Sequence, residues 1–178
     1  ISKVNFMQND DWNRTTSVVR FLSGDTSLLQ VTSTTFYVQG ILGLLFSLIF
    51  GWQKLPYLTF VISVLNFYLF AKILYDHFNQ SKIKSTLISL IFFFTPLHIY
   101  SSIGFMTENY TMFFMLMAIY FLQNYEKTRK KKDFLIFNLA GILSFFTKQN
   151  GIIINFAYIP YLIFKKRYKE ALYQVLIM

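Results

Sequence analysis

The chain has 178 residues, of which 54% are hydrophobic, 20% aromatic and only 14% charged, with a mean hydropathy of +0.44. An ordinary soluble domain carries about 25% charged residues, and a chain of this length cannot hide so much apolar surface in one core. The composition rules out a disordered chain and argues strongly against a soluble globular domain. The net charge of +9 would suit a nucleic-acid protein. Its 17 Lys and Arg, however, fall in short clusters between apolar runs, as in the cytoplasmic loops of membrane proteins. No nucleic-acid partner is expected.

Cys is absent, which excludes disulfides and thiolate-bound metals. His77 and His98 are too few and too far apart for a histidine zinc site. The first residues, Ile1–Ser2–Lys3, are no signal peptide, and the last, Ala171–Met178, are an apolar run. The chain is therefore expected to be a stretch of a longer protein, inactive alone.

Residues 1–35 are polar and mixed, with Asp10, Asp11 and Asp25 beside Lys3, Arg14 and Arg20. Apolar runs follow at 36–52, 57–75, 86–103, 110–125, 134–147 and 151–164. A spanning helix needs about 20 apolar residues. Runs 57–75, 86–103 and 110–125 meet or approach that length. The two shorter runs read as a helical hairpin with Lys148–Gln149–Asn150–Gly151 at its tip. The basic stretches Glu126–Asp133 and Lys165–Glu170, with Lys82 and Lys84, are expected to be cytoplasmic. Run 36–52 contains Gly40, Gly43 and Gly51, each weakening a helix by about 1 kcal/mol relative to Ala. It is expected to lie along the outer membrane face rather than cross. Five basic residues (Lys3, Arg14, Arg20, Lys54 and Lys148) then face outward, and the other 12 face inward. The expected fold is all-α: a polytopic transmembrane helical bundle over 57–178, and an external loop over 1–56 with interfacial amphipathic helices.

This topology puts four candidate groups on one side. Asn9–Asp10–Asp11–Trp12 pairs two acids, which can bind a cation or supply a general base; a helix N-cap is the plainer role. Met106–Thr107–Glu108–Asn109 places a carboxylate at the membrane edge, where it is costly and a functional candidate by default. Capping the next helix would also account for it. Lys148 can bind a phosphate as a point charge or snorkel to headgroups. Arg14 and Arg20 can pair with the nearby acids or bind an anion. Pro96 and His98 read as a kink with a polar patch.

Four stretches in this order resemble the membrane glycosyltransferases of the GT-C superfamily: residues 9–25 (NDDWNRTTSVVRFLSGD), 36–51 (FYVQGILGLLFSLIFG), 94–109 (FTPLHIYSSIGFMTEN) and 143–152 (LSFFTKQNGI). The likeness is to the bacterial and archaeal branch related to protein O-mannosyltransferases and the aminoarabinose transferase. It implies a catalytic Asp in the first external loop, at Asp10 or Asp11 with Asp10 preferred. It further implies a second acidic position at Glu108 and a basic, substrate-binding position at Lys148. Arg14 and Gln149 join the substrate-binding set. The implied reaction moves a sugar from a polyprenyl-phosphate donor to a hydroxyl of a lipid, glycan or protein acceptor. It proceeds with inversion and takes place on the external face of a membrane, expected to be the plasma membrane. A divalent cation, Mg or Mn, is compatible with the acids, but nothing visible requires one. The competing readings are a transporter or flippase fragment, which would place polar residues in broken helices at the midplane, and a structural membrane subunit.

Overall fold

The computed structural model describes residues 9–25 and 35–178, with the side chains of Asn9 and Asp10 outside that description. Among the described residues the fold is all-α, with no strand. The polar segment forms α1 (Asn9–Leu22), with Asp10 and Asp11 in its first turn and Arg20 in its last, as the helix dipole favours. The glycine-containing run forms α2 (Tyr37–Phe50). A turn at Gly51, φ 85°, and a 3₁₀ turn at Trp52–Lys54 lead into α3 (Leu55–Phe78), which ends on Asn79 in the left-handed region.

Ser81 caps α4 (Lys82–Phe93) by accepting the Lys84 N–H. Pro96, which lacks an N–H, then opens α5 (Pro96–Ile103), and Thr95 before it is extended. The two helices meet at 72°, so the kink expected at Pro96 is present and breaks run 86–103. Beyond it lie α6 (Thr107–Thr128), α7 (Lys131–Phe145), a 3₁₀ turn at Gln149–Ile152, α8 (Ile153–Phe164) and α9 (Tyr168–Ile177).

Side-chain bonds fix how these helices run. Thr59 meets Tyr110, Asn66 donates to the Asn109 carbonyl, and Tyr120 donates to Asp76, so α3 and α6 are parallel. Ser144 donates to the Thr111 carbonyl, so α7 returns antiparallel. Asn155 donates to Asn138 and Tyr158 packs on Phe137, which brings α8 back along α7. The bundle therefore has two ends. One gathers the start of α3, the α5–α6 junction and the end of α7. The other gathers Lys127–Lys132 and Lys165–Lys169, with Lys82 and Lys84 at the start of α4.

The first end is closed by α2. The Phe36 and Val38 N–H groups donate to the carbonyls of Thr147 and Phe146, Gln39 donates to the Phe105 carbonyl, and the far end of α2 joins the head of α3. All these partners lie at the same end of the bundle, so α2 crosses that end instead of running through the bundle. Gly43 lets α2 approach closely: a Cβ there would stand 2.7 Å from the Phe105 ring.

Between apolar core residues such as Leu55, Ile62 and Phe105, the interior of this bundle carries many polar side chains. The buried faces hold Thr59, Ser63 and Asn66 of α3, Ser85 and Ser89 of α4, and His98 and Ser101 of α5. The outward faces of the same helices hold Phe60, Val64, Leu65, Ile83, Leu87, Ile91, Leu97 and Ile103. Helices that pack in lipid use small and polar residues between them and turn apolar ones outward. Gly141 belongs to this design, because a Cβ there would collide with the Asn155 amide that ties α8 to α7. By length and composition, one described helix, Trp52–Phe78, can cross a membrane, and Lys82–Phe93 with Pro96–Ile103 passes as a bent pair. α6 is long enough at 22 residues, roughly 33 Å, but carries charge at both ends.

Candidate functional site

The site assembles at the end of the bundle that α2 covers. Asp11 leaves the first turn of α1 and reaches the α5–α6 junction, where its Oδ1 accepts the Phe105 N–H at 2.6 Å. Gly104 makes room for it: a Cβ at Gly104 would stand 2.7 Å from Asp11 Oδ2. Asp11 is 5% exposed. Burial pushes its carboxyl above the usual 3.8, while the Phe105 N–H and the Arg14 guanidinium pull it back.

One turn further along α1, Arg14 is also 5% exposed. Its Nη1 donates to Met106 Sδ at 3.3 Å and lies 3.9 Å from Glu108 Oε2. Glu108 occupies the first turn of α6, where the helix dipole welcomes a carboxylate. Its other oxygen accepts from Lys148 Nζ at 3.0 Å, across 40 residues. Lys148 stands where α7 ends and the 3₁₀ turn begins. Asp11, Arg14, Glu108 and Lys148 therefore form one continuous cluster drawn from three separate parts of the chain.

Below this cluster opens a cleft of about 410 Å³. Its polar rim is Glu108, Lys148, Thr111 and Asn150; its walls are Phe70 of α3, Phe92 of α4, and Met112, Met115, Leu116 and Ile119 of α6. A cation at the mouth of an apolar channel suits a phosphate carried on a hydrocarbon chain.

The other expected residues sit as follows. Asp10 lies in the first turn of α1, with its side chain outside the described residues. Gln149 is exposed beside Lys148, and Asn150, not Gln149, lines the cleft. Arg20 pairs with Asp25 at the far end of α1, away from Glu108. Thr107 does not cap α6 with its side chain; Met106 holds the cap position. Among the described residues no three His, Cys, Asp or Glu gather as a metal-binding group.

Sequence reading gave no role to Gly104 and Phe105, which hold Asp11 in place, and named Met106 only as part of the Glu108 motif, not as the partner of Arg14. The signal was a glycine directly before a buried aromatic at a helix junction, where a backbone N–H is free to bind a carboxylate.

The family model for dolichyl-phosphate-mannose-protein mannosyltransferase matches residues 35–178. No curated protein and no solved structure matches the chain. The matched stretch covers α2 to α9 and includes Glu108, Lys148 and the cleft between them. On that match, the chain belongs to the dolichyl-phosphate-mannose-protein mannosyltransferase family of integral membrane glycosyltransferases.

Proposed function

We propose that this chain forms the donor and base half of a glycosyltransferase that moves a sugar from a polyprenyl phosphate to an acceptor hydroxyl. The observation that carries the reading is the Lys148–Glu108–Arg14 cluster at the mouth of an apolar cleft, with Asp11 beside Arg14 and Asp10 next to it in sequence. The polyprenyl tail lies against Phe70, Phe92 and Met112. Its phosphate meets Lys148, which exchanges Glu108 for the new anion. The acceptor oxygen attacks the anomeric carbon from the face opposite the phosphate, and the carbon–oxygen bond to the phosphate breaks with inversion. The bond's electron pair leaves on the polyprenyl phosphate, and the hydroxyl proton passes to an aspartate. Lys148 and Arg14 offset the charge gathering on the leaving group, often the largest single contribution in such a site.

The base is assigned to Asp10. Asp11 is nearly enclosed and already bonded to Phe105, so its role is to hold α1 against the α5–α6 junction. Glu108 orients Lys148 and, once released, the sugar. Because Glu108 engages Lys148 and Arg14, the residues present favour charge pairing over cation coordination, and no step runs through Mg or Mn. The helices form a polytopic bundle, as the outward apolar faces support. The site faces the outside and the basic end faces the cytoplasm, as the distribution of Lys and Arg supports.

The test uses the full-length protein in lipid nanodiscs with a radiolabelled polyprenyl-phosphate sugar. Transfer that depends on Asp10 and on Lys148 is expected. Unchanged transfer in a double variant, Asp10→Asn with Asp11→Asn, overturns the assignment.

A further inference from the structure

A second groove spans the α4–α5 break. It measures about 420 Å³ and runs between Phe60, Val64 and Phe67 of α3, Phe93 and Phe94 at the end of α4, and Ile99 and Ile103 of α5. Its polar lining is Ser63, His98 and Ser102. His98 is 8% exposed and its ring stands edge-on to Phe93, with centroids 4.1 Å apart.

The hydrogen bonds around His98 decide where its ring proton sits. Ser102 Oγ donates to the His98 carbonyl at 2.7 Å. The hydrogen between the two serines, 2.8 Å apart, therefore comes from Ser63. Having donated its only hydrogen, Ser63 can only accept at His98 Nε2, also 2.8 Å away. The proton is thus on Nε2, and Nδ1 is a bare acceptor with no donor among the described residues. A bare acceptor within an apolar groove is costly until an O–H or N–H meets it.

Charge narrows the ligand further. No Lys, Arg, Asp or Glu is among the lining residues. A phosphate-bearing lipid would bring an unpaired anion, whereas an uncharged lipid with a hydroxyl brings apolar chains for Phe60, Phe67 and Phe94 and one donor for Nδ1.

We infer that the groove between α3, α4 and α5 binds an uncharged, hydroxyl-bearing lipid of the diacylglycerol type, with its hydroxyl on His98 Nδ1, separately from the Lys148 cleft. The inference concerns binding and does not depend on the transfer reaction.

The experiment uses full-length protein in nanodiscs and a diacylglycerol with a photoactivatable acyl chain. Its partner probe is the same lipid with the hydroxyl acetylated. The free-hydroxyl probe is expected to label peptides covering 60–67 and 90–103. The acetylated probe should label them roughly 3- to 10-fold less, as loss of one neutral hydrogen bond implies. His98→Phe should bring both probes to the lower level, and His98→Gln, which retains an acceptor, should preserve the difference. Asp10→Asn should leave labelling unchanged, which separates this site from the transferase reading. Equal labelling by the two probes overturns the inference. Absence of label from these segments, as when another part of the full chain fills the groove, overturns it as well.

Discussion

The carboxylate of Asp11 accepts the backbone N–H of Phe105 at 2.6 Å, across 94 residues of chain. This bond sets α1 against the α5–α6 junction, three residues before Glu108. A carboxylate committed to a buried N–H positions the helix, and the proposed function gives the base role to Asp10 instead. Asp10→Asn should lower the turnover rate by about 10²- to 10⁴-fold, the usual worth of a general base, with an unchanged melting temperature. Asp11→Ala should instead lower the melting temperature, because it strands a buried N–H at a cost of about 1–3 kcal/mol. Asp11→Asn retains an acceptor oxygen and should fall between the two. Thermal unfolding and transfer assays on the same preparations check this. The assignment fails if Asp11→Ala melts like the parent.

Gly104→Ala should reproduce the Asp11→Ala phenotype. The new Cβ would press on Asp11 Oδ2 at 2.7 Å, and the carboxylate would have to leave the Phe105 N–H. φ at Gly104 is −108°, so Ala suits the backbone itself, and any loss reports the contact alone. Adding Asp11→Ala to Gly104→Ala should cost little more, which is the signature of a shared interaction. Additive losses would count against it.

Lys148→Ala should raise the KM for the polyprenyl-phosphate donor by about 10- to 100-fold, the worth of one charge-assisted hydrogen bond. Lys148→Arg should recover most of the loss. Glu108→Gln removes the resident partner of Lys148. It should tighten binding of the product polyprenyl phosphate while slowing turnover. An unchanged KM in Lys148→Ala would remove the phosphate from this cleft.

The opposite end of the bundle has its own charge network. Arg167 joins Glu126, at 2.7 Å, to Glu170, and Tyr125 donates to Glu170 at 2.6 Å. Arg167 holds the Glu170 carboxyl well below its usual 4.5, at about 2. A lowered carboxyl stabilises the fold above the unfolded value and loses that contribution as pH falls. Glu170→Gln should therefore melt below the parent at pH 7. The gap should narrow between pH 4.5 and about 2 and close below that window. A gap that stays constant from pH 7 to pH 2.5 would contradict this.

The chain has no native cysteine, so single replacements report sidedness cleanly. Gln149→Cys should react with an impermeant maleimide on intact cells. Lys130→Cys should react only after permeabilisation. Reaction of Lys130→Cys from outside would invert the proposed orientation.

Much of this architecture was legible because it rests on local chemistry. Pro96 lacks an N–H and forces Thr95 to be extended, so a break near residue 95 could be read from one residue. Counting helices between basic clusters placed Glu108 and Lys148 on one face, and that the two meet was expected only from the resemblance. The bond from Asp11 to Phe105 could not be read that way, because it depends on where α1 docks, and no local pattern encodes docking. The exchange of roles between Gln149 and Asn150 was hidden too: a 3₁₀ turn rotates adjacent residues by about 120°, so the register of that turn decides which amide faces the cleft. His98 read as part of a polar patch at the kink, but its partners Ser63 and Ser102 escaped because they look like minor interruptions in apolar runs. Their meaning appears only when the helix bends and closes them together.

The strap formed by α2 bears on the order in which the protein is made. Its N–H groups bond to the carbonyls of Thr147 and Phe146, residues translated more than a hundred positions later. Until the second half of the α6–α7 hairpin has emerged and inserted, Phe36 and Val38 lack their partners and the mouth of the cleft is incomplete. The mouth of the cleft therefore closes only after α7 has been made. A nascent chain arrested before Phe145 should hold α1 and α2 in the bilayer interface, still exchanging their amide hydrogens, and unable to engage donor while its membrane helices are already in place.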